Sequence, residues 1–244
     1  MVMDGREAHL ALLDDGPDGL SPHDREAIGA IWAARAEHEL GAGAVFEAIG
    51  VALGERRTAP EVRTLVASAV QDERRHSELC RRLAARYLSV EVPSPSSPAV
   101  TLPVFGDAPT ELNATLNVVL NSCISETVAV EFLRVCRAEA RGPAVRDALR
   151  SLLADEMRHA RLGWAHLQSS EVSSSERREV GRALPILARM ARAAWTTPTL
   201  LDTPAATGHG WLDVARLGSL FDEVMSDVVV PGLAHVGVEL RKSD

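Results

Sequence analysis

One lysine, one tyrosine and three cysteines in 244 residues are what this sequence is shortest of, and each shortage removes a class of function. Lys242 is the only lysine, so arginine carries nearly all the positive charge. Pairs such as Arg81-Arg82 and Arg177-Arg178 therefore read as solvated faces produced by a chain-wide bias. With a net charge of −8 there is no basic surface to neutralise phosphates, and nucleic acid is not an expected partner. Cys80, Cys123 and Cys136 make neither a C-x-x-C pair nor an even disulfide framework, so reduced core thiols are expected. A four-cysteine iron or zinc module is excluded by the same count. No run of 18 uninterrupted apolar residues occurs, and residues 1–20 lack a basic start followed by an apolar stretch. The expectation is a cytoplasmic protein with no membrane partner.

What the sequence does have is a pentapeptide written twice. Asp72-Glu73-Arg74-Arg75-His76 and Asp155-Glu156-Met157-Arg158-His159 both read D-E-x-R-H, 83 residues apart. On a helix, residues three apart share a face about one turn apart, so each copy presents a carboxylate and an imidazole to one point, a metal-ligand spacing. One E-x-x-H would be weak evidence in a chain with eight histidines. The likeness extends upstream, however: Pro60 matches Pro143, Val62 matches Val145 and Arg63 matches Arg146, each pair at equal distances from its Glu. The spacing predicts an internal duplication of a helical hairpin.

Punctuation sets the predicted elements. Residues 1–24 form an N-terminal arm with a short apolar patch, Leu10 to Leu13. Ser21 and Pro22 cap a first helix over 22–53, and Pro60 opens a second over 60–88. In the second, Val62, Val66, Ala69, Glu73, His76, Cys80, Leu83 and Tyr87 fall on one face, which puts the charged pair on the apolar side. Residues 89–111, with five prolines among serines, suit a crossover along the side of a bundle. A third helix is expected over 110–141. After Gly142-Pro143 a fourth reaches about 170, repeating the face with Leu149, Leu152, Leu153, Glu156, His159, Gly163 and Leu167. The fold class is thus all-α: a four-helix bundle over 25–170 made of two duplicated hairpins, with extra C-terminal helices over 171–244 packed on it. Those helices are placed at about 176–195 and 212–230, the first kinked or ended early by Pro185. His209 and His235 read as surface or loop residues.

A dinuclear site in such a bundle needs one further carboxylate from each remaining helix. The third helix offers Glu126, Glu131 and Glu139; level within the hairpin favours Glu126 opposite Glu156. The first offers Glu37, Glu39 and Glu47. Helical phase favours Glu39, on the face of Ile31, Trp32, Phe46, Ile49 and Leu53, over Glu37, which points nearly opposite.

The pattern Glu39, Glu73-x-x-His76, Glu126, Glu156-x-x-His159 resembles the ferritin-like di-iron carboxylate superfamily. That group includes rubrerythrins, acyl-carrier-protein desaturases, ribonucleotide reductase small subunits and bacterial multicomponent monooxygenases. Around the Glu-His pairs and Cys123-Ile124-Ser125-Glu126-Thr127 the sequence looks like bacterial ferritin-like proteins. In those the first Glu is followed by His, which leaves Glu37-His38 as a competing alignment. The resemblance implies that Glu73 and Glu156 bridge two metals, that Glu39 and Glu126 are terminal, and that His76 and His159 bind one metal each. Asp72 and Asp155 would hydrogen-bond the far nitrogens of the ligand histidines. The expected cofactor is two Fe ions, with Mn or a mixed Mn/Fe pair as the alternative, because four carboxylates neutralise two divalent ions and hard oxygens suit them. Without metal, the buried carboxylates are expected to raise each other's pKa.

Two functions fit. One is an oxidoreductase that activates oxygen or peroxide to oxidise a small substrate, drawing on an external electron donor, as a monomer or homodimer. The other is a ferritin-like protein that oxidises and sequesters iron with no organic substrate. Small residues one turn from the ligands (Ala42, Gly43, Ala69, Ser122, Cys123, Ala129, Ala160 and Gly163) either leave a substrate cavity or let the helices approach. Tyr87, about 21 Å along the helix from Glu73, is too far for a tyrosyl radical beside the metals. The missing cysteine module argues against a complete rubrerythrin, and the acidic charge against a transfer-RNA hydroxylase.

Overall fold

A computed structural model describes residues 17–54, 58–197 and 203–239. The patch at Leu10 to Leu13, part of the first hairpin turn (55–57) and part of the later loop (198–202) lie outside the described residues. The described chain is helical with no strand among its residues. Four long helices come first: α1 Pro22–Gly54, α2 Pro60–Leu88, α3 Thr110–Glu139 and α4 Pro143–Gln168. Then follow α5 Ser174–Trp195 and α6 over 214–235.

Local chemistry explains the ends. The Ser21 hydroxyl accepts from the Asp24 amide at 3.1 Å, capping α1. Pro60 and Pro143 occupy first-turn positions where no N–H is needed. Gly142, at φ 79°, makes the left-handed step that reverses the chain between α3 and α4. Ser173 and Glu176 form a reciprocal capping box at the start of α5.

The helices pair as antiparallel hairpins. Along α1, Gly29 meets Tyr87 and Leu88, Gly43 meets Glu73, and Gly50 meets Val66, so one chain rises as the other falls. In the second hairpin Gly163 of α4 lies against Ser122 and Cys123 of α3, and further along Thr115 meets His166 at 3.1 Å. Two apolar clusters fill the interior. One is built on Phe46, Ile49, Leu53, Val62, Val66, Val118 and Leu162. The other takes in Ile28, Trp32, Leu83, Tyr87, Leu133, Leu149 and Leu152, together with α5 and α6. The six candidate ligands occupy the level between them. The segment 89–109 carries no helix and is tied down at both ends. Arg81 donates to the Val92 carbonyl at 2.7 Å, while Asn113 and Asn117 donate to the Pro103 carbonyl at 3.1 and 3.0 Å.

Three features depart from expectation. First, α3 is not α-helical throughout: Val119–Glu126 is π-helical between two α-helical stretches. Side chains donate to carbonyls in and just before it, Asn121 to Asn117 at 2.9 Å and Ser125 to Leu120 at 3.1 Å. Second, Pro185 does not end α5, which continues to Trp195. An interior proline costs about 3 kcal/mol, but burial of Val180, Leu184, Leu187 and Ala191 on one face is worth more, at roughly 1.5–3 kcal/mol per large side chain. Third, His209 is no surface residue. The 3-10 turn Pro204–His209 closes one end of the bundle, where His209 is 2 % exposed and its Nδ1 lies 2.6 Å from the Tyr87 hydroxyl. Its carbonyl accepts from the Trp32 indole at 3.0 Å. His235, by contrast, is exposed. α3 is also long and apolar enough to cross a membrane, yet 72 % of that window is buried inside the protein.

The π turn brings the α3 backbone so close to α4 that a Cβ on Gly163 would stand 2.8 Å from the Cys123 amide nitrogen and 2.5 Å from its sulfur. Backbone cannot swing aside as a side-chain tip can. Gly163→Ala is expected to lower stability by about 1–3 kcal/mol, read as a fall in the thermal midpoint, whereas Gly54→Ala, with open space around it, is expected to leave it nearly unchanged.

Candidate metal centre

Each D-E-x-R-H pentapeptide lies mid-helix, and the turn spacing does what the sequence implies: Glu73 and His76 of α2 face Glu156 and His159 of α4. Glu39 of α1 and Glu126, the last residue of the π segment, complete the cluster. All six side chains are buried. They fall into two groups whose ligand atoms lie within 4.8 Å of one another: Glu39, Glu73, His76 and Glu156, and Glu73, Glu126, Glu156 and His159. Either group could hold a metal ion, and Glu73 and Glu156 belong to both.

The sharing is seen atom by atom. His76 Nδ1 is 3.3 Å from Glu73 Oε2 and 3.3 Å from Glu156 Oε1. His159 Nδ1 is 3.0 Å from Glu73 Oε1 and 2.8 Å from Glu156 Oε2. Each carboxylate therefore gives one oxygen to each imidazole. A proton on Nδ1 sits where a metal would, so this donor set could hold a metal ion. Carboxylate oxygens together with imidazoles are donors of the kind that bind divalent first-row metals.

The far side of each imidazole is held crosswise. His76 Nε2 lies 3.1 Å from Asp155 on α4, and His159 Nε2 lies 3.3 Å from Asp72 on α2. Each aspartate thus serves the histidine of the opposite repeat. Arg75 and Arg158 complete a cap that sequence reasoning passed over. Arg75 binds Asp72 at 2.8 Å and also pairs with Asp155; Arg158 binds Asp155 at 2.6 Å and Asp72 at 2.9 Å. Both arginines are about half exposed and close the histidine side of the cluster. The signal was the repeat itself, since Arg is as faithfully duplicated as Asp, Glu and His.

The electrostatics follow from burial and pairing. Burial opposes charge on both histidines, but hydrogen bonds to Glu156 and Glu73 outweigh it, pushing His76 up to about 10 and His159 up to about 11. Burial and the charge of Glu156 raise Glu73 to about 7, and the same causes with Glu73 added raise Glu126 well above its usual range. Glu156 goes the other way: burial would raise it, but both imidazoles hold it below the usual carboxylate range. The expectation that every carboxylate in the cluster rises is thus corrected, because protonated histidines replace metal as the countercharge. For Asp72 and Asp155 burial is likewise outweighed by their Arg and His partners, and both are lowered.

The competing carboxylates lie elsewhere. Glu37, His38 and Glu47 are exposed. Glu131 pairs with Arg134, and Glu139 with Arg216 at 2.6 Å. Cys80, Cys123 and Cys136 are buried free thiols, and burial raises all three above their usual range. Of the small residues, Gly43 and Gly163 serve close approach: a Cβ on Gly43 would be 3.1 Å from the Glu73 Cβ. No known protein-family model matches this sequence, and no curated protein is significantly similar to it.

Three expectations follow from this geometry. Because His76 and His159 must lose protons to bind metal, loading at pH 7 is expected to release at least about two protons per centre, with affinity rising as pH rises; calorimetry in buffers of different ionisation enthalpy counts them. In the metal-free protein the raised histidines stabilise the fold fully below about pH 6.5, and that contribution fades as pH climbs through about 10 to 11. Asp155→Ala or Asp72→Ala is expected to weaken metal binding by about 10–100-fold, since each leaves one imidazole unoriented. Equal affinity in a competition titration would show that the cap plays no part in holding metal.

Proposed function

We propose that this chain is a ferritin-like dinuclear metal-carboxylate oxidoreductase. Two iron ions, or manganese or a mixed pair, would bind between Glu39, Glu73, His76, Glu126, Glu156 and His159 and activate oxygen or peroxide to oxidise a small substrate. The observation that carries this reading is the membership of Glu73 and Glu156 in both buried acid/histidine groups. A structural ion pair needs no such sharing, and burying four carboxylates with two imidazoles is costly unless metal or protons balance the charge. A diferrous pair, when bound, supplies two electrons to oxygen where a single ferrous ion supplies one.

The chain's own residues have defined parts in this reading. Asp72 and Asp155 orient the imidazoles and keep their Nε2 positions occupied, so that Nδ1 faces the metals. The paired arginines cap that side against water, and the crossover, whose Pro98 comes within van der Waals reach of the Gly41 Cβ position, passes beside α1 two residues beyond Glu39. An external electron donor would return the two electrons after each cycle.

The second reading, iron oxidation and sequestration, is favoured by one feature. At Gly43 and Gly163 neighbouring helix atoms take up the space beside the ligands that a substrate cavity would need. The quaternary state separates the two: a large hollow assembly by light scattering supports storage, a monomer or dimer supports catalysis.

Metal analysis of protein reconstituted with ferrous iron under anaerobic conditions is expected to give about two irons per chain, and Glu73→Ala or Glu156→Ala to lose both, because each residue serves both positions. Fewer than about two irons in the unaltered chain overturns the dinuclear reading.

A further inference from the structure

The two halves of the centre are alike in ligands but not in what stands behind them. Four residues before Glu39 is Arg35, whose Nε donates to Glu39 Oε1 at 2.8 Å. The guanidinium is 5.5 Å from the Trp32 ring and 5.3 Å from the Phe132 ring, and its side chain is only 10 % exposed. Its Nη1 is buried with no hydrogen-bond partner. Four residues before Glu126, inside the π-helical stretch, is Ser122, whose buried hydroxyl has no hydrogen-bond partner. No arginine or lysine pairs with Glu126 among the described residues, and the charges that act on it are those of Glu156, Glu73 and His159. One terminal carboxylate is therefore tied to a buried cation, and its counterpart is not.

We infer that Arg35 makes the two metal positions unequal: the one served by Glu126 and His159 fills first and holds its ion, while the one served by Glu39 and His76 is the weaker and more exchangeable. The inference rests on the dinuclear reading. Arg35 acts through Glu39 and is a positioning residue. It occupies Oε1, leaving Oε2 as the free donor, and it cancels the charge that Glu39 would offer to a divalent ion. Its own positive charge opposes that ion at short range, in an interior where charges are weakly screened. Orientation by Arg35 favours binding at the same time, but one hydrogen bond is smaller than the repulsion between a buried monocation and a dication held by the same carboxylate. A buried cation with an unused donor is costly, and cation–π contacts with Trp32 and Phe132 offset only part of that cost. Such a residue beside only one of the two terminal carboxylates points to a difference between the positions.

The test is calorimetric titration of the metal-free full-length protein with manganese(II). The unaltered protein is expected to bind in two steps separated by about tenfold or more. Glu39→Gln should abolish the weak step and Glu126→Gln the tight one. Arg35→Met, whose apolar chain keeps the packing against Trp32 and Phe132, should tighten the weak step and bring the two together. Arg35→Lys, which keeps the charge, should preserve the separation. A single unsplit two-ion step, or loss of the weak step in Glu126→Gln, overturns the inference about Arg35 and leaves the dinuclear reading standing. Unchanged separation in folded Arg35→Met does the same. Absence of manganese binding overturns both.

Discussion

Four carboxylates share one dry layer of a helical core, and the rest of the molecule answers to the need to balance them. Glu39, Glu73, Glu126 and Glu156 sit between two apolar clusters, where an unpaired charge would cost several kcal/mol. The structure offers three kinds of countercharge. Protonated His76 and His159 face Glu73 and Glu156, Arg35 faces Glu39, and Glu126, with no arginine or lysine pairing with it among the described residues, is held towards its neutral form. In this arrangement protons do provisionally what metal ions would do permanently. On the proposed reading, metal affinity, pH and fold stability form one linked equilibrium in this protein.

Much of this was legible because duplication repeats what matters and lets the rest drift. The twofold D-E-x-R-H located Glu73, His76, Glu156 and His159, and helical phase chose Glu39 over Glu37, which the structure leaves exposed. Arg75 and Arg158 were equally repeated, yet their part depends on a crossed contact between two helices that no single-helix argument contains. The π turn was hidden for a related reason. Asn117 and Asn121 are poor helix formers that donate to carbonyls one turn back, a hint that becomes readable only once the widened turn is known. His209 was misplaced because loop composition says nothing of where a loop docks. Its burial depends on Tyr87 and Trp32, more than a hundred residues earlier in the chain.

The duplication is also informative where it fails. α2 and α4 repeat one pentapeptide, and their contributions are symmetric: two glutamates common to both groups, two imidazoles, two aspartates and two arginines joined crosswise. α1 and α3 have diverged. One is a regular helix with Arg35 behind its carboxylate, and the other widens into a π turn with Ser122 in that place and needs Gly163 opposite. The repeated pair supplies the glutamates common to both acid/histidine groups, while α1 and α3 each supply a carboxylate to one group alone.

That division bears on which side of the centre meets the outside. The histidine side is closed by four charged groups bonded to one another, and opening it would break several charge-assisted hydrogen bonds at once. The terminal carboxylates have no such cap, and of the six ligands Glu126 and Glu39 are the most exposed, at 9 % and 5 % against 1–2 % for the other four. Gly43, one turn beyond Glu39 on α1, is packed against Glu73, and Gly163 of α4 against Ser122 and Cys123, so helix atoms fill the space there. The two terminal carboxylates thus differ in their surroundings, with a fixed cation next to Glu39 and the unpartnered Ser122 and Thr127 hydroxyls on the helix that carries Glu126.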